Sequence, residues 1–296
     1  MKLLIIGATG LVGESLISLL ENSALKIEKI CFISSEKSRN KLIKFKDKYY
    51  FIKSINDINL ANYTHACVLT SSEVSKQITP SLLFNNLVVI DNSSAYRTRH
   101  NLTVPELNFK KNKRIYVNPN CCVIQSIIPL FHIDKKYDIN EIIFNTYQSC
   151  SGGGYSLLDD FHSNKIKNCI PFIGDILLNN STDEEEKMIK ETNKLLNKSI
   201  PIYSNCVRVP TENGHLVNII FKVNNCTIND ILEVLKTNTI YLKSKVIPNI
   251  NSDSKIYTTR LKQLNFNTFS FYTYANNVLR GASYNTYKIL ELINNN

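Results

Sequence analysis

One thiol of this chain stands where it could act as a nucleophile. The segment RIYVNPNCCVIQSIIPLF has the pattern of a strand, a turn at Asn118 and Pro119, and a helix that begins near Cys121. Unpaired N–H groups and the positive end of the helix dipole favour a thiolate at that position. Cys121 is therefore the candidate nucleophile. Cys122 is one step further round the helix, so its side chain is expected to point elsewhere.

A reactive thiolate needs a partner that transfers protons. Of the five histidines, only His215 stands in a motif, CVRVPTENGHL, in which Arg208 precedes it across a turn. The near-neutral pKa of imidazole suits proton transfer at physiological pH. His215 is thus the candidate acid and base. The other histidines are expected to be structural or surface residues.

A glycine turn indicates a dinucleotide site. GATGLVG follows the apolar run KLLII and leads into a helix, where a pyrophosphate can approach the backbone N–H groups. The second strand runs into SSEKS, whose hydroxyls and lysine suit the 2′-phosphate of NADP(H), while Glu36 keeps NAD as an alternative. The expected cofactor-binding residues are Gly7, Thr9, Gly10, Leu11, Val12, Gly13, Ser35, Lys37 and Ser38.

Alternating apolar runs and helical patterns over the first part of the chain predict the elements that hold these residues. They indicate an α/β fold with a doubly wound parallel-sheet (Rossmann) dinucleotide-binding domain. The expected NADP-binding domain covers residues 1–121 and is completed by a C-terminal helix, 281–296. Longer strands and amphipathic helices over 122–280 predict an α+β catalytic and dimerisation domain.

Composition argues against several other classes of protein. The net charge is +10, but the lysines form no stripe and accompany no nucleic-acid-binding motif, so no nucleic-acid partner is expected. The eight cysteines form no CxxC pair, which indicates reduced thiols in the cytoplasm and no metal site. No apolar run reaches the ~18 residues needed to cross a bilayer, so no membrane association is expected.

Taken in order, the motifs point to a family. They are GATGLVG, DNSSAYR, VPELN, NPNC, YQSCSGGG, EEEK with ETNK, CVRVP with GH, and NNVLRGASYN. With these motifs the chain resembles the NADP-dependent aspartate-semialdehyde dehydrogenases from Lys2 to Glu291. The resemblance implies reduction of L-4-aspartyl phosphate to L-aspartate 4-semialdehyde with release of phosphate, in lysine, threonine and methionine biosynthesis. It also implies a homodimer or a dimer of dimers.

The resemblance assigns roles to single positions. It implies that Cys121 forms a thioester, that His215 is the acid and base, and that Gln148 orients the acyl group. The substrate-binding positions it implies are Arg208 for the α-carboxylate, Glu184 for the ammonium, Lys187 and Arg97 for phosphate, and Asn120 near phosphate and the developing oxyanion. Without the resemblance, Glu184 and Lys187 would be interpreted as a solvated ion pair on a helix surface.

Three positions depart from the family pattern, and other functions stay open. Cys122 replaces the usual serine or threonine, GGG replaces GAG, and Lys288 stands where glutamine is common. The alternatives are an acyl-phosphate or acyl-CoA reductase of the N-acetyl-γ-glutamyl-phosphate reductase or malonyl-CoA reductase type, and a catalytically silent NADP-binding paralogue. A substrate with a free ammonium and α-carboxylate requires an acid and an arginine, which Glu184 and Arg208 supply.

Overall fold

The chain divides into two compact units. The structure is a computed structural model that describes residues 1–243 and 248–294. Unit 1 comprises Met1–Pro119 and Ala282–Asn296, and unit 2 comprises Asn120–Gly281. The last two residues of the expected C-terminal helix, 295 and 296, lie outside the described residues.

Unit 1 is built on five parallel strands in the order β2-β1-β5-β6-β7. Its strands are β1 (Lys2–Ile6), β2 (Lys29–Ile33), β3 (Leu42–Phe45), β4 (Lys48–Phe51), β5 (His65–Val68), β6 (Val88–Asp91) and β7 (Ile115–Val117). Its helices are α1 (Leu11–Glu21), α2 (Ser72–Phe84), α3 (Pro105–Asn108) and, near the end of the chain, α8 (Tyr284–Asn294). Strands β3 and β4 form a separate antiparallel hairpin.

The strands of unit 1 are covered on both faces, which explains their continuous apolar sequences. Leu3 and Ile5 of β1 are fully buried in a core that also contains Leu16 of α1. Helix α8 adds Ile289 and Leu290 to the same core. Parallel strands with helices on both faces define a doubly wound sheet. The predicted fold class is confirmed for this unit.

The glycine turn joins β1 to α1 and depends on two of its three glycines for packing. Gly7 has φ +90°, and a β-carbon there would lie 2.3 Å from the Leu69 carbonyl oxygen. A β-carbon at Gly13 would lie 2.2 Å from the Gly7 carbonyl oxygen. At Gly10 the closest heavy atom would be 3.5 Å away. Packing within the protein therefore requires Gly7 and Gly13 but leaves space at Gly10.

Unit 2 is a mixed six-stranded sheet in the order β11-β12-β13-β10-β8-β9. Its strands are β8 (Glu141–Gln148), β9 (Ile202–Arg208), β10 (His215–Lys222), β11 (Ile240–Leu242), β12 (Tyr257–Gln263) and β13 (Thr268–Ala275). Its helices are α4 (Cys121–Tyr137), α5 (Gly154–His162), α6 (Asp183–Leu196) and α7 (Ile228–Asn238). Helix α4 packs against β10, β13, α6 and α7. This is the predicted α+β arrangement.

The topology of unit 2 brings distant parts of the chain to one sheet edge. β8 and β9 are parallel, and Gln148 at the end of β8 pairs with Arg208 at the end of β9. β10 is antiparallel to β8, so His215 at its start lies at the same edge. Polar residues that are far apart in sequence therefore meet where these strands end.

None of the helices in residues 1–243 and 248–294 is long and apolar enough to span a bilayer.

The difference between the turn glycines predicts different costs for the same substitution. Gly13→Ala forces a β-carbon onto rigid backbone, so we expect it to lower the free energy of unfolding by about 2–3 kcal/mol. Gly10→Ala, at the helix N-cap, should cost less than about 1 kcal/mol. Urea unfolding followed by circular dichroism measures both values. Equal destabilisation by the two substitutions would contradict this account of the turn.

Candidate active site

Cys121 is the first residue of α4, and Asn120 caps that helix. The Asn120 Oδ1 atom accepts hydrogen bonds from the backbone N–H of Cys122 at 2.8 Å and of Val123 at 3.4 Å. The Cys121 side chain is half-buried. A β-carbon at Gly281 would lie 2.6 Å from the Cys121 β-carbon, so the chain passes close to this thiol. Cys121 thus has the helix-start position that favours a thiolate.

Two buried carboxylates of α6 hold Asn120. Its Nδ2 donates to Glu184 Oε1 at 2.7 Å, and its backbone N–H donates to Glu191 Oε2 at 2.6 Å. Glu184 and Glu191 are 7% and 4% exposed. Hydrogen bonds to ionised groups are stronger than neutral ones. The start of α4 is therefore fixed by charge-assisted contacts with a second helix.

The expectation that Cys122 points away from the site is wrong. The sulfur atoms of Cys121 and Cys122 and a ring nitrogen of His215 all lie within 4.8 Å of one another. Side chains on a helix lean toward its N-terminus, so two successive thiols in the first turn can both reach over the helix end. Cys122 is fully buried, and burial, its hydrogen bond with Cys121 and the Glu184 charge raise the pKa of its thiol well above the usual value.

His215 is fully buried, and contacts from Ser149 orient its ring. The Ser149 backbone N–H and the Ser149 Oγ atom each lie 3.1 Å from His215 Nδ1. Because a backbone N–H can only donate, Nδ1 accepts and the neutral ring carries its proton on Nε2. Within residues 1–243 and 248–294, Nε2 has no hydrogen-bond partner. The ring therefore has a buried, unpaired nitrogen available for proton transfer, and one of its two nitrogens lies within 4.8 Å of both thiol sulfurs.

Arg208 brings a positive charge into the same buried region. It is 7% exposed, and its Nη1 atom donates to the Ser149 carbonyl oxygen at 2.7 Å. A β-carbon on Gly152 would come within 2.9 Å of Arg208 Nη1 and 3.1 Å of the His215 ring. The GGG sequence therefore leaves the space that these two side chains occupy.

Gln148 and Glu184 meet in this cluster, while Lys187 lies at its border. Gln148 Nε2 donates to Glu184 Oε1 at 3.3 Å. Lys187 Nζ lies 2.6 Å from an Asp183 carboxylate oxygen and 3.4 Å from Glu184 Oε2. Glu184 is consequently a buried, multiply hydrogen-bonded carboxylate and not part of a solvated surface pair.

Arg97 belongs to unit 1. Its Nη2 atom donates to the Asn92 carbonyl oxygen at 3.0 Å, and it lies near the buried Asp91. It is half-buried.

A cavity of about 440 Å³ lies at the carboxyl ends of β1, β2 and β5. From β1 the chain first adds β2 on one side and later adds β5 on the other side of β1. Doubly wound sheets bind nucleotides at such a switch point. Its lining includes four of the expected cofactor residues, Gly7, Thr9, Gly10 and Ser35. Leu11, Val12, Gly13, Lys37 and Ser38 are not among its described lining residues, whereas Glu36 is.

Three hydroxyls and two ion pairs lie in or next to the wall of this cavity. Thr9 Oγ1 lies 2.6 Å from Ser34 Oγ and 3.5 Å from Ser38 Oγ. Arg39 pairs with Glu36 at 3.3 Å and with Asp57 at 2.9 Å. Arg39 therefore partly neutralises the carboxylate in the cavity wall.

Sequence reasoning missed several residues that organise the site. Ser149 and Asn277 form a hydrogen-bonded pair behind His215, with Ser149 Oγ donating to Asn277 Oδ1 at 3.0 Å. Gln125 of α4 donates to the His215 carbonyl oxygen at 3.2 Å, and Glu191 anchors Asn120. Glu191 and Asn277 lie inside motifs of the resemblance, ETNK and NNVLRGASYN. Residue type and position alone gave no signal that separated them from surface polar residues.

A dinucleotide-binding fold and a cluster of thiols with a histidine are typical of dehydrogenases that use a cysteine. Comparison with known families identifies the class of dehydrogenase. The NAD-binding domain of semialdehyde dehydrogenases matches residues 2–115, and the dimerisation domain of semialdehyde dehydrogenases matches residues 129–280. The protein is thus an oxidoreductase with a nicotinamide nucleotide cofactor. Its second domain is of the family's dimerisation type.

Individual relatives narrow the class. Aspartate-semialdehyde dehydrogenase of Rickettsia conorii is 31% identical over 98% of this chain and 97% of its own length. The Aquifex aeolicus enzyme of that name is 33% identical over 74% of this chain and 72% of its own length. The chain belongs to the aspartate-semialdehyde dehydrogenase family.

Solved structures agree with this assignment. Aspartate semialdehyde dehydrogenase II of Vibrio cholerae has 27% identity and a TM-score of 0.92, covering 99% of this chain and 98% of that one. Its complex with ASA gives a TM-score of 0.93 at the same identity, covering 99% and 97% of the two chains. The Candida albicans enzyme with NADP, at 20% identity and a TM-score of 0.79 over 99% and 98% of the two chains, shares the fold.

Proposed function

We propose that this chain catalyses the NADPH-dependent reduction of L-4-aspartyl phosphate to L-aspartate 4-semialdehyde, with release of phosphate, in the biosynthesis of lysine, threonine and methionine. The observation that carries the proposal is the cluster of half-buried Cys121 with the buried His215, Arg208 and Glu184 in a chain of this family. It combines a nucleophile, a proton-transfer group and one charge of each sign for an amino-acid substrate. The compartment we propose is the cytoplasm, where thiols stay reduced.

We assign the nucleophile to Cys121. Its position at the start of α4 favours the thiolate, while Cys122 is fully buried with a raised thiol pKa. The Cys121 sulfur attacks the acyl carbon of the substrate, and the bond from that carbon to the phosphate oxygen breaks. The product of this half-reaction is a thioester on Cys121. Gln148 and Asn120 are assigned to orienting the acyl group and stabilising its developing oxyanion.

We assign proton transfer to His215 Nε2. The nicotinamide cofactor, when bound, supplies the hydride that reduces the thioester. The resulting oxyanion takes a proton from the protonated ring and returns it as the aldehyde forms and the Cys121 thiolate leaves. In the charged ring the Nδ1 proton is donated to Ser149 Oγ, 3.1 Å away, in place of the hydrogen bond from the Ser149 N–H, and Ser149 Oγ donates in turn to Asn277.

Recognition of the rest of the substrate is assigned to charged side chains. The planar guanidinium of Arg208 matches a carboxylate, and the Ser149 carbonyl oxygen fixes its orientation. Glu184 has lone pairs left for a substrate ammonium beyond its contacts with Asn120 and Gln148. An N-acetylated or CoA-linked substrate lacks that ammonium, so this carboxylate favours aspartyl phosphate. Lys187 and Arg97 are assigned to phosphate.

The finer cofactor assignment is NADP(H), bound by Gly7, Thr9, Gly10, Leu11, Val12, Gly13, Ser35, Lys37 and Ser38. Two observations fit a dinucleotide. The cavity lies at the switch point of the sheet, and Gly10 lacks a side chain where packing within the protein leaves space. For the 2′-phosphate, the cavity wall offers serine hydroxyls, and Arg39 partly offsets the opposing charge of Glu36. NAD stays the alternative because Glu36 lines the cavity.

We also propose roles for the two domains and an oligomeric state for the protein. Residues 1–121 with 281–296 bind NADP, and residues 122–280 carry catalysis and dimerisation. The family match of the second segment to a dimerisation domain supports a homodimer, with a dimer of dimers as the alternative.

A phosphate-dependent assay tests the proposed reaction in reverse. Purified enzyme, L-aspartate 4-semialdehyde, phosphate and NADP should form NADPH, and omission of phosphate should abolish the rate. Cys121→Ala should lower kcat by at least about 10⁴-fold, because no thioester forms. Absorbance of the reduced nicotinamide gives both rates.

Controls separate the parts of this proposal. Cys169→Ser, at an exposed cysteine, should keep the wild-type rate. NADP should be used in preference to NAD, and a clear NAD preference would overturn the cofactor assignment. Activity that survives Cys121→Ala would refute the mechanism. Faster turnover of N-acetylglutamate semialdehyde than of aspartate semialdehyde would refute the substrate.

Gly152 offers a test of the Arg208 assignment. A β-carbon there would lie 2.9 Å from Arg208 Nη1 and 3.1 Å from the His215 ring, so Gly152→Ala should displace one or both side chains. We expect kcat/KM for aspartate semialdehyde to fall by about 10- to 100-fold, where a rise in KM reports displacement of Arg208 and a fall in kcat reports displacement of His215.

Gly153→Ala is the matched control for this loop. Its β-carbon meets only the Leu157 side chain, so kcat/KM should change far less. Thermal unfolding of both variants shows whether the fold is intact. The assignment fails if both substitutions lower kcat/KM equally, or if Gly152→Ala has wild-type kinetics.

A further inference from the structure

Cys122 gives the site a second thiol with no part in the proposed reaction. Both thiols and a His215 ring nitrogen lie within 4.8 Å of one another. Cys122 and His215 are each fully buried. The two sulfurs and the ring nitrogen are therefore close enough to bind one metal ion together.

This donor set suits a soft divalent cation. Cysteine sulfur and histidine nitrogen are the usual protein ligands of Zn²⁺, at about 2.3 Å and 2.0–2.1 Å, so tetrahedral ligand atoms lie about 3.5–3.8 Å apart. The three donor atoms lie within 4.8 Å of one another, about 1 Å more than the separation of tetrahedral ligand atoms. Small side-chain rotations remove this difference. Three protein ligands leave the fourth position open for water.

One ring nitrogen of the histidine has no partner within the described residues. Nε2 is buried and has no hydrogen-bond partner among the described residues. Metal-bound histidines hold their other ring nitrogen by a hydrogen bond from its N–H to an oxygen. Metal binding therefore requires the ring proton to move from Nε2 to Nδ1, where Ser149 Oγ at 3.1 Å can accept it in place of the hydrogen bond from the Ser149 N–H.

Charges of both signs lie near the three donors. The Glu184 carboxylate acts on Cys122 and favours a cation, whereas the Arg208 guanidinium near the His215 ring opposes one. A metal ion displaces the proton of each thiol that it binds.

We propose that Cys121, Cys122 and His215 form an inhibitory binding site for a thiophilic divalent cation of the Zn²⁺ class. The ion bonds to both sulfurs and to Nε2, and about one to two thiol protons leave for solvent. Because the ion occupies the Cys121 sulfur, it excludes the acyl substrate. The inhibitory part of this inference depends on the proposed function, while the binding part does not.

Direct binding to the full-length, reduced, metal-free protein tests the site without any substrate. Co²⁺ serves as a spectroscopic probe, since thiolate ligands give a charge-transfer absorption, and Zn²⁺ is then titrated against a chromophoric chelator. We expect one ion per chain. Cys122→Ser should weaken Zn²⁺ binding by at least about tenfold and reduce the charge-transfer absorption. Serine matches cysteine in size, and circular dichroism melting verifies the fold.

Two further variants complete the design. Cys169→Ser, at an exposed cysteine, should bind as wild type does. Cys121→Ser should lose affinity as Cys122→Ser does. In the activity assay, micromolar Zn²⁺ should inhibit wild type more strongly than Cys122→Ser, with recovery on adding chelator.

The outcomes distinguish this inference from the proposed function. Equal affinity in wild type and Cys122→Ser, or absence of a bound ion in wild type, overturns the metal site and leaves the catalytic assay unaffected. Metal binding in a protein that lacks phosphate-dependent activity would overturn the proposed function while retaining the site.

Discussion

The hydrogen bonds at the start of α4 are the constraint on which the site depends. Asn120 satisfies two backbone N–H groups of the helix with its own Oδ1 and is itself held by Glu184 and Glu191. Removing one partner from such a buried network leaves the others unpaired, which costs more than a single hydrogen bond contributes. The network therefore fixes where Cys121 stands, and it links that position to the carboxylate proposed to bind the substrate ammonium.

The sheet of unit 2 supplies the second half of the geometry. Gln148, Arg208 and His215 lie at the ends of three adjacent strands, so their backbone positions follow from strand pairing rather than from loop conformation. Ser149 then connects two of the side chains, because its N–H contacts His215 and its carbonyl oxygen contacts Arg208. A site built on paired strands holds reacting groups more precisely than one built on loops.

Much of this was accessible from sequence, because it rests on local patterns. Continuous apolar runs such as KLLII predicted buried parallel strands, and GATGLVG predicted the turn whose Gly7 and Gly13 have no room for a β-carbon. The motif NPNC predicted a cysteine at a helix start. Each of these signals depends on residues that are neighbours along the chain.

What sequence did not predict depends on packing between elements. The rotation between neighbouring residues of a helix predicted that Cys122 would point away from the site. In the structure both thiols lie near His215, because side chains in the first turn of a helix tilt toward its N-terminus. The burial of Glu184 and Glu191 follows from the packing of α6 against α4, which a charge-rich helical pattern does not show. Ser149 and Asn277 become important only through the fold, since 128 positions separate them in the chain.

The assignment of Cys121 as the nucleophile is tested by finding which thiol carries the acyl group. Enzyme mixed with L-4-aspartyl phosphate in the absence of nucleotide is quenched in acid, digested and sequenced by tandem mass spectrometry. We expect an aspartyl thioester on Cys121 and none on Cys122, although the two residues are adjacent. An acyl group on Cys122, or on any other residue in place of Cys121, would contradict it.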